Sequence, residues 1–258
     1  MNKIFFLVCV SILISCNHSN DLDKKGLQVE EVVDSKDAQN VIKKDSLDFK
    51  VKSLGVLLTG NPNVRISPLF KLNYNKKDKS YYTGSSEFHH NYYYDNQKNQ
   101  DNWQNIIPGF KALYGYNLVN VFHFDHKENK GKKLFDKPVL IKTCYYPSPT
   151  VDSLKFQPLT RKFYMISVYD EDTNKDKYIN SKDLRRFYFF DENGENKSLI
   201  IPKNYSVIGA DYDSENDYLY INAILDLNKD GKTSGDEPIS IFYIDLKEPT
   251  LKGLIYEN

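Results

Sequence analysis

The sequence lacks an excess of charge of either sign. Its 35 lysine and arginine residues match 35 aspartate and glutamate residues. A balanced chain sets up no overall field that attracts nucleic acid, so nucleic acid is not expected as a partner. Glycine and methionine are also scarce, with 12 and 2 residues against 20 tyrosines and 15 phenylalanines. Aromatic side chains fit a pleated, half-buried surface, so this composition favours β-strands.

The chain begins with an apolar run that is too short to span a bilayer. The run extends from Ile4 to Ile14, and polar residues follow from Asn17. A transmembrane helix needs ~20 apolar residues, so the run is typical of a signal peptide instead. We therefore predict a signal peptide over residues 1–15.

The end of this run, Leu13-Ile14-Ser15-Cys16, resembles the lipobox of bacterial lipoproteins. The resemblance implies cleavage before Cys16 and a diacylglycerol on its sulfur. The membrane would then be a partner through this lipid, and the protein would lie in the cell envelope, at the outer membrane or cell surface of a Gram-negative bacterium. The alternative is an ordinary signal peptide with an incidental cysteine.

Cysteines and catalytic motifs are few. Cys9 would leave with the signal peptide and Cys16 would carry lipid, so Cys144 would have no disulfide partner. Its apolar setting predicts a buried thiol.

No His-Glu-x-x-His pattern, Gly-x-Ser-x-Gly elbow or glycine-rich phosphate loop occurs. His123 and His126 flank a hairpin loop and are expected to face solvent. An enzymatic activity is therefore not favoured.

The composition changes after the signal peptide. Residues 16–45 are dense in charge and contain no aromatic side chain, which indicates a flexible tether. Residues 46–258 hold the aromatic, strand-like segments and form the folded domain. The tether would hold this domain clear of the membrane surface.

The folded domain contains internal repeats. A shift of 54 residues places Asp172 on Asp226 and aligns the flanking aromatic segments without gaps. Shifts of 100 and 96 residues align two further segments, which gives four copies with central loops near Lys76, Asp125, Asp172 and Asp226. Each copy reads as short strands separated by polar loops, and a period of about 50 residues is typical of strand-built repeats.

Two segments, FYFFDENGENKSLIIP and IFYIDLKEPTLKGLIY, resemble the outer part of a TolB-like propeller blade. The resemblance implies an all-β fold of repeated four-stranded units in a small, about four-bladed, propeller-like arrangement. A β-sandwich is the alternative, because it would bury the same strands. No helix is required anywhere in this domain.

The loop DLNKDGKTSGDE has oxygen donors at the spacing of a calcium loop. Calcium takes six to eight oxygens, which twelve-residue loops supply from positions 1, 3, 5, 7, 9 and 12. Gly231 stands at the sixth position, where the chain must turn sharply. The predicted ligands are Asp226, Asn228, Asp230, the carbonyl of Lys232, Ser234 and Glu237.

The preceding copy has a similar loop with two differences. Lys177 replaces the glycine, which predicts a strained turn, and Asp183 replaces the longer glutamate. Both loops resemble the EF-hand loop, although strand-like segments rather than helices flank them. The predicted ligands are Asp172, Asn174, Asp176, the carbonyl of Tyr178, Asn180 and Asp183. We expect calcium to stiffen these loops.

An aromatic cluster is the candidate ligand-binding surface. It comprises Tyr92, Tyr93, Tyr94 and Trp103 in a polar segment, and such rings stack on sugars or peptides. The sequence therefore favours a non-enzymatic, lipid-anchored envelope protein with structural calcium and a binding or scaffolding role toward an envelope protein or glycan. The alternative is a glycan-directed hydrolase of the cell envelope, since paired carboxylates can act across space.

Overall fold

The fold is all-β, as predicted. A computed structural model describes residues 26–28, 49–75, 77–83, 107–115 and 117–257. These residues form strands, turns and loops but no α-helix, and therefore no helix that could cross a membrane. The strands are β1 (Leu27–Gln28), β2 (Val51–Ser53), β3 (Leu57–Leu58), β4 (Val64–Lys71), β5 (Asn73–Asn75), β6 (Ser80–Tyr82), β7 (Phe110–Leu113), β8 (Leu118–Asp125), β9 (Lys130–Lys133), β10 (Leu140–Pro147), β11 (Asp152–Leu154), β12 (Gln157–Leu159), β13 (Phe163–Tyr169), β14 (Tyr178–Ile179), β15 (Arg186–Asp191), β16 (Ser198–Leu199), β17 (Tyr205–Asp213), β18 (Tyr218–Leu225), β19 (Ile239–Asp245) and β20 (Lys252–Glu257).

Three antiparallel sheets carry most of these strands. The N-terminal sheet has the order β2-β4-β8-β9, with β3 also paired to β4. The middle sheet has the order β16-β15-β13-β10-β7, and the C-terminal sheet has the order β17-β18-β19-β20. Three further sheets have two strands each, namely β1-β14, β5-β6 and β11-β12.

The C-terminal sheet is a meander of consecutive hairpins, and its four strands match the four-stranded unit expected for each copy. Burial alternates along β18, where Leu219, Ile221 and Ala223 are buried. Because successive side chains of a strand point to opposite faces, one face of this sheet packs inward and the other does not.

The middle sheet is buried on both faces. Along β13, Phe163 and Met165 join a core shared with the C-terminal sheet. The intervening Tyr164, Ile166 and Val168 join a second core shared with the N-terminal sheet. This two-sided burial explains why the segment FYMISVY is almost continuously apolar instead of alternating. The three sheets thus stack face to face around two cores.

The 54-residue shift is matched by three strands of each copy in the structure. It brings β13, β15 and β16 onto β18, β19 and β20, which occupy the same order in their sheets. The first two copies, in contrast, contribute to one sheet, because β4 pairs directly with β8 from Val64 opposite Asp125 to Phe70 opposite Leu118. The 100-residue shift places β10 on β19, but the two strands belong to different sheets. Strand β10 pairs with β13 and β7 in the middle sheet.

A buried ion pair connects segments that are distant in sequence. Arg161 donates two hydrogen bonds to Asp217, at 2.9 and 2.6 Å, and the two side chains are 2% and 1% exposed. The guanidinium also donates to the carbonyl oxygens of Leu246 and Pro108, at 2.7 and 3.1 Å. The hydroxyl of Tyr212 donates a hydrogen bond to Asp217 Oδ1 at 3.0 Å. Arg161 therefore ties the turn before β18, the end of β19 and the segment before β7.

The two-sided middle sheet predicts a large cost for truncating its side chains. Phe187 is 0% exposed, so Phe187→Ala should lower the free energy of unfolding by about 3–5 kcal/mol, because a cavity replaces the ring. Phe156→Ala is the control, since Phe156 is 99% exposed and its loss should change stability by less than about 0.5 kcal/mol. Guanidinium denaturation measures both. Equal losses in the two variants would contradict the arrangement of the cores.

The ion pair gives a second prediction. Asp217→Asn keeps the left-handed backbone of this residue, whose φ is 63°, because asparagine tolerates that conformation. It leaves the Arg161 guanidinium buried without its carboxylate, so the free energy of unfolding should fall by about 3–5 kcal/mol.

The control for this variant is Glu215→Gln. It breaks the exposed pair between Lys155 and Glu215, which lie 2.7 Å apart. An exposed pair contributes about 0–1 kcal/mol, so this variant should unfold almost as the parent does. A comparable loss in both variants would show that burial of the Arg161 pair is unimportant.

Candidate metal centre

Both predicted calcium loops are hairpin connections between neighbouring strands of a main sheet. The first acidic loop, residues 172–183, lies between β13 and β15. The second acidic loop, residues 226–237, lies between β18 and β19. Because β13 and β18 are equivalent strands of stacked sheets, the two loops leave their sheets at corresponding places.

The backbone of the second acidic loop is organised by its own acidic and amide side chains. Asp226 Oδ2 accepts a hydrogen bond from the Gly231 N–H at 3.2 Å. Asn228 Oδ1 accepts from the Asp230 N–H, and Asp230 Oδ1 accepts from the Lys232 N–H, each at 2.9 Å. Gly231 has a left-handed φ of 72°. The side chains at the first, third and fifth positions therefore fold the loop inward.

Glu237 closes the second acidic loop. Its Oε1 accepts from the Leu227 N–H at 3.1 Å, and its Oε2 accepts from the Ser234 N–H at 2.9 Å. The carboxylate of the twelfth position thus joins the second and ninth positions. Ser234 Oγ accepts a hydrogen bond from the Asp236 N–H at 3.3 Å.

The first acidic loop repeats this scheme. Asp172 accepts hydrogen bonds from the N–H groups of Asp176 and Lys177, at 3.0 and 2.8 Å. Asn174 Oδ1 accepts from the Asp176 N–H, and Asp176 Oδ1 accepts from the Tyr178 N–H, each at 2.9 Å. Lys177 has a φ of 70°, close to that of Gly231. A residue with a Cβ therefore adopts the left-handed backbone here, which is the conformation on which the predicted strain depends.

Asp183 is the most enclosed carboxylate of the two loops. It is 2% exposed, and its Oδ1 accepts from the N–H groups of Thr173 and Asn174, at 2.9 and 3.2 Å. Its Oδ2 accepts from the Asn180 N–H at 2.8 Å. Burial raises the pKa of Asp183 to about 6, and the nearby charge of Asp172 adds to this, although the three N–H donors oppose it. A cation beside this carboxylate would favour its charged form.

The two loops touch each other, which the sequence did not indicate. The hydroxyl of Thr173 donates a hydrogen bond to the carbonyl oxygen of Gly231 at 2.6 Å. A Cβ built on Gly231 would lie only 1.9 Å from the Thr173 carbonyl oxygen. We refer to this approach as the Thr–Gly contact. It explains the glycine by lack of space as well as by backbone conformation.

The first acidic loop also pairs with residues from the predicted tether. Strand β1 pairs antiparallel with β14, with Leu27 opposite Ile179. Leu27, Val119 and Ile179 form a small buried cluster. Gly26 has a φ of 88° and no room for a Cβ beside the Ile179 carbonyl. Residues 26–28 therefore lie against the domain beside the seventh and eighth positions of the loop.

The donors of the two loops are turned mainly toward the backbone. Within the described residues, no three His, Cys, Asp or Glu side chains converge as a metal-binding group. Asn180 Oδ1, for example, accepts a hydrogen bond from the Lys182 N–H at 2.8 Å. Asp226 Oδ1, however, is a buried oxygen with no hydrogen-bond partner. This orphaned carboxylate oxygen and the all-oxygen donor set suit a hard cation such as calcium.

Other residues singled out from the sequence lie elsewhere. Cys144 is buried in the core between the N-terminal and middle sheets, as predicted, and burial raises the pKa of its thiol. The expectation for His123 was wrong, because this residue is buried in β8, where its ring packs against Tyr164. His126 is exposed, as expected. Outside the described residues lie Cys16, Tyr92, Tyr93, Tyr94 and Trp103.

Comparison with known proteins does not assign the chain to a family. A scan against protein-family models finds no match, and no curated protein sequence matches the chain. The arguments for a metal site therefore rest on the loops themselves.

The strained turn of the first acidic loop predicts a stabilising substitution. A left-handed backbone costs a residue with a Cβ about 1–2 kcal/mol. Lys177→Gly should therefore raise the free energy of unfolding in the presence of chelator, by about 0.5–1 kcal/mol after the entropy cost of glycine. Thermal and denaturant unfolding measure this change.

Lys182→Gly is the matched control, because it removes the same charge and side chain from an exposed position of the same loop. Lys182 is not among the residues with positive φ, so glycine should lower the stability there. If Lys177→Gly also lowers the stability, the turn is not strained.

Proposed function

We propose that this protein is a lipid-anchored component of the bacterial cell envelope whose two acidic loops bind calcium, and that the ordered loops serve a binding or scaffolding role. The observation that carries the proposal is the shared conformation of the loops. Both have left-handed residues at the fourth and sixth positions, Lys175 and Lys177 in one and Lys229 and Gly231 in the other. In both, the first and twelfth side chains accept backbone hydrogen bonds at equivalent places.

Calcium suits these loops for an electrostatic reason. Each loop holds acidic side chains at its first, fifth and twelfth positions, and like charges in so short a segment repel one another. Backbone N–H donors offset this repulsion in part. Burial, with a smaller contribution from the charge of Asp172, still raises the pKa of Asp183 to about 6, and Asp226 Oδ1 has no hydrogen-bond partner. A divalent cation between the carboxylates would offset their repulsion. The residues that would hold it are those predicted from the sequence, with the carbonyls of Tyr178 and Lys232 at the seventh positions.

The same geometry favours a structural role over a hydrolytic one for these acids. A general acid in glycoside hydrolysis needs a raised pKa and access to the substrate. Asp183 has the raised pKa, but it is buried and accepts three backbone hydrogen bonds. It is therefore placed to order the loop rather than to reach a sugar.

The proposed location follows from the beginning of the chain. The motif Leu13-Ile14-Ser15-Cys16 would place lipid on Cys16, ten residues before Gly26. The domain would then lie close to the membrane when residues 26–28 pair with the first acidic loop. An envelope protein or glycan is the proposed binding partner, with the aromatic residues from Tyr92 to Trp103 as candidate contacts.

Calcium titration calorimetry on the full chain in detergent tests the proposal. The parent protein should bind two ions, and Asp226→Asn and Asp172→Asn should each lose one, because each change removes a charged ligand from one loop. Bound calcium should also raise the melting temperature, since an ion that binds only the folded state adds about 2.7 kcal/mol at one hundred times its Kd.

Asp236→Asn is the control variant. Asp236 is an exposed acid in the second acidic loop but occupies the eleventh position, which supplies no ligand. It should bind two ions as the parent does. Absence of calcium binding in the parent protein, or equal losses in all three variants, would refute the assignment.

A further inference from the structure

Thr173 belongs to both acidic loops at once. Its N–H donates to Asp183 Oδ1 at 2.9 Å, and its hydroxyl oxygen accepts from the Leu184 N–H at 2.9 Å. The hydroxyl proton is directed to the Gly231 carbonyl oxygen at 2.6 Å, whereas Asp183 Oδ1 is 3.3 Å away. One residue therefore connects the twelfth-position carboxylate of the first loop to the sixth position of the second loop.

The peptide unit that Thr173 holds is itself part of the second loop's ligand scaffold. The Gly231 carbonyl belongs to the same peptide as the Lys232 N–H, which donates to Asp230 Oδ1 at 2.9 Å. The Gly231 N–H on the preceding peptide donates to Asp226 Oδ2 at 3.2 Å. Two predicted ligands, Asp226 and Asp230, are thus positioned by the segment that touches Thr173.

We infer that the two acidic loops bind calcium as one cooperative pair, coupled through the Thr–Gly contact. The inference rests on the proposed calcium binding. An ion in the first loop fixes the carboxylate of Asp183, and an ion in the second loop fixes the turn at Gly231. In either case the Thr–Gly contact transmits this order to the other loop. The second ion then enters a loop that is already ordered, so it loses less conformational freedom on binding. The coupling is reciprocal by thermodynamic linkage.

The two loops are not equivalent partners in this pair. The second acidic loop has glycine at its sixth position and glutamate at its twelfth, whereas the first has Lys177 and the shorter Asp183. The second loop therefore fills first. Its occupancy then raises the affinity of the first loop, by about 5- to 150-fold if the coupling has the usual size.

A double-mutant cycle tests the coupling on the full chain in detergent, with calcium alone as the ligand. Asp226→Asn empties the second loop, and the first loop should then bind calcium at least about 5-fold more weakly than it does in the parent. Thr173→Val removes the hydroxyl but keeps a branched side chain. In the Thr173→Val background both ions should still bind, and Asp226→Asn should no longer change the affinity of the first loop.

Thr173→Ser is the rescue variant, because it keeps the hydroxyl that reaches Gly231. It should bind two ions with the coupling of the parent, and circular dichroism checks that every variant retains its strands. If the parent binds two ions and Asp226→Asn leaves the affinity of the first loop unchanged, the coupling is refuted while calcium binding stands. If the coupling persists in Thr173→Val, the Thr–Gly contact does not carry it. If the parent binds no calcium, the proposed function fails and this inference with it.

Discussion

Burial of the middle sheet on both faces determines how the three main sheets pack together. Alternate side chains of β13 belong to two different cores, with Met165 in one and Ile166 in the other. A shift of this strand by one residue would exchange the two sets, so its register is fixed. The same packing fixes the middle sheet against the C-terminal sheet, and it thereby brings the loop after β13 beside the loop after β18.

The acidic loops are stabilised differently from the sheets that carry them. The sheets are held by apolar burial, whereas the loops are folded by carboxylates and amides that bind backbone N–H groups of the same loop. Such hydrogen bonds with charged acceptors are strong, but they concentrate negative charge. In the first loop burial raises the pKa of Asp183, and the nearby charge of Asp172 adds to this. The loops therefore have a defined shape in which acidic side chains are held near one another, and this arrangement suits a cation.

Local patterns predicted local structure well. Strand-like segments, turn residues and apolar stretches predicted the all-β fold, the two acidic loops between strands and the burial of Cys144. Features that depend on distant residues were not predicted. The repeat alignment could not show that β4 pairs with β8, and the hairpin position of His123 suggested solvent although its ring packs on Tyr164. Pairing of residues 26–28 with β14 was hidden because the flanking segment is charged.

Gly231 shows how a correct local interpretation can be incomplete. The calcium-loop pattern assigns glycine to the sixth position because the backbone there is left-handed, but Lys177 has almost the same φ in the first loop. Conformation alone therefore does not require glycine at this position. At Gly231 any Cβ would collide with the Thr173 carbonyl, so the identity of this residue depends on the neighbouring loop. The contact between the loops therefore requires glycine at this position of the second loop. A side chain there would force the two loops apart.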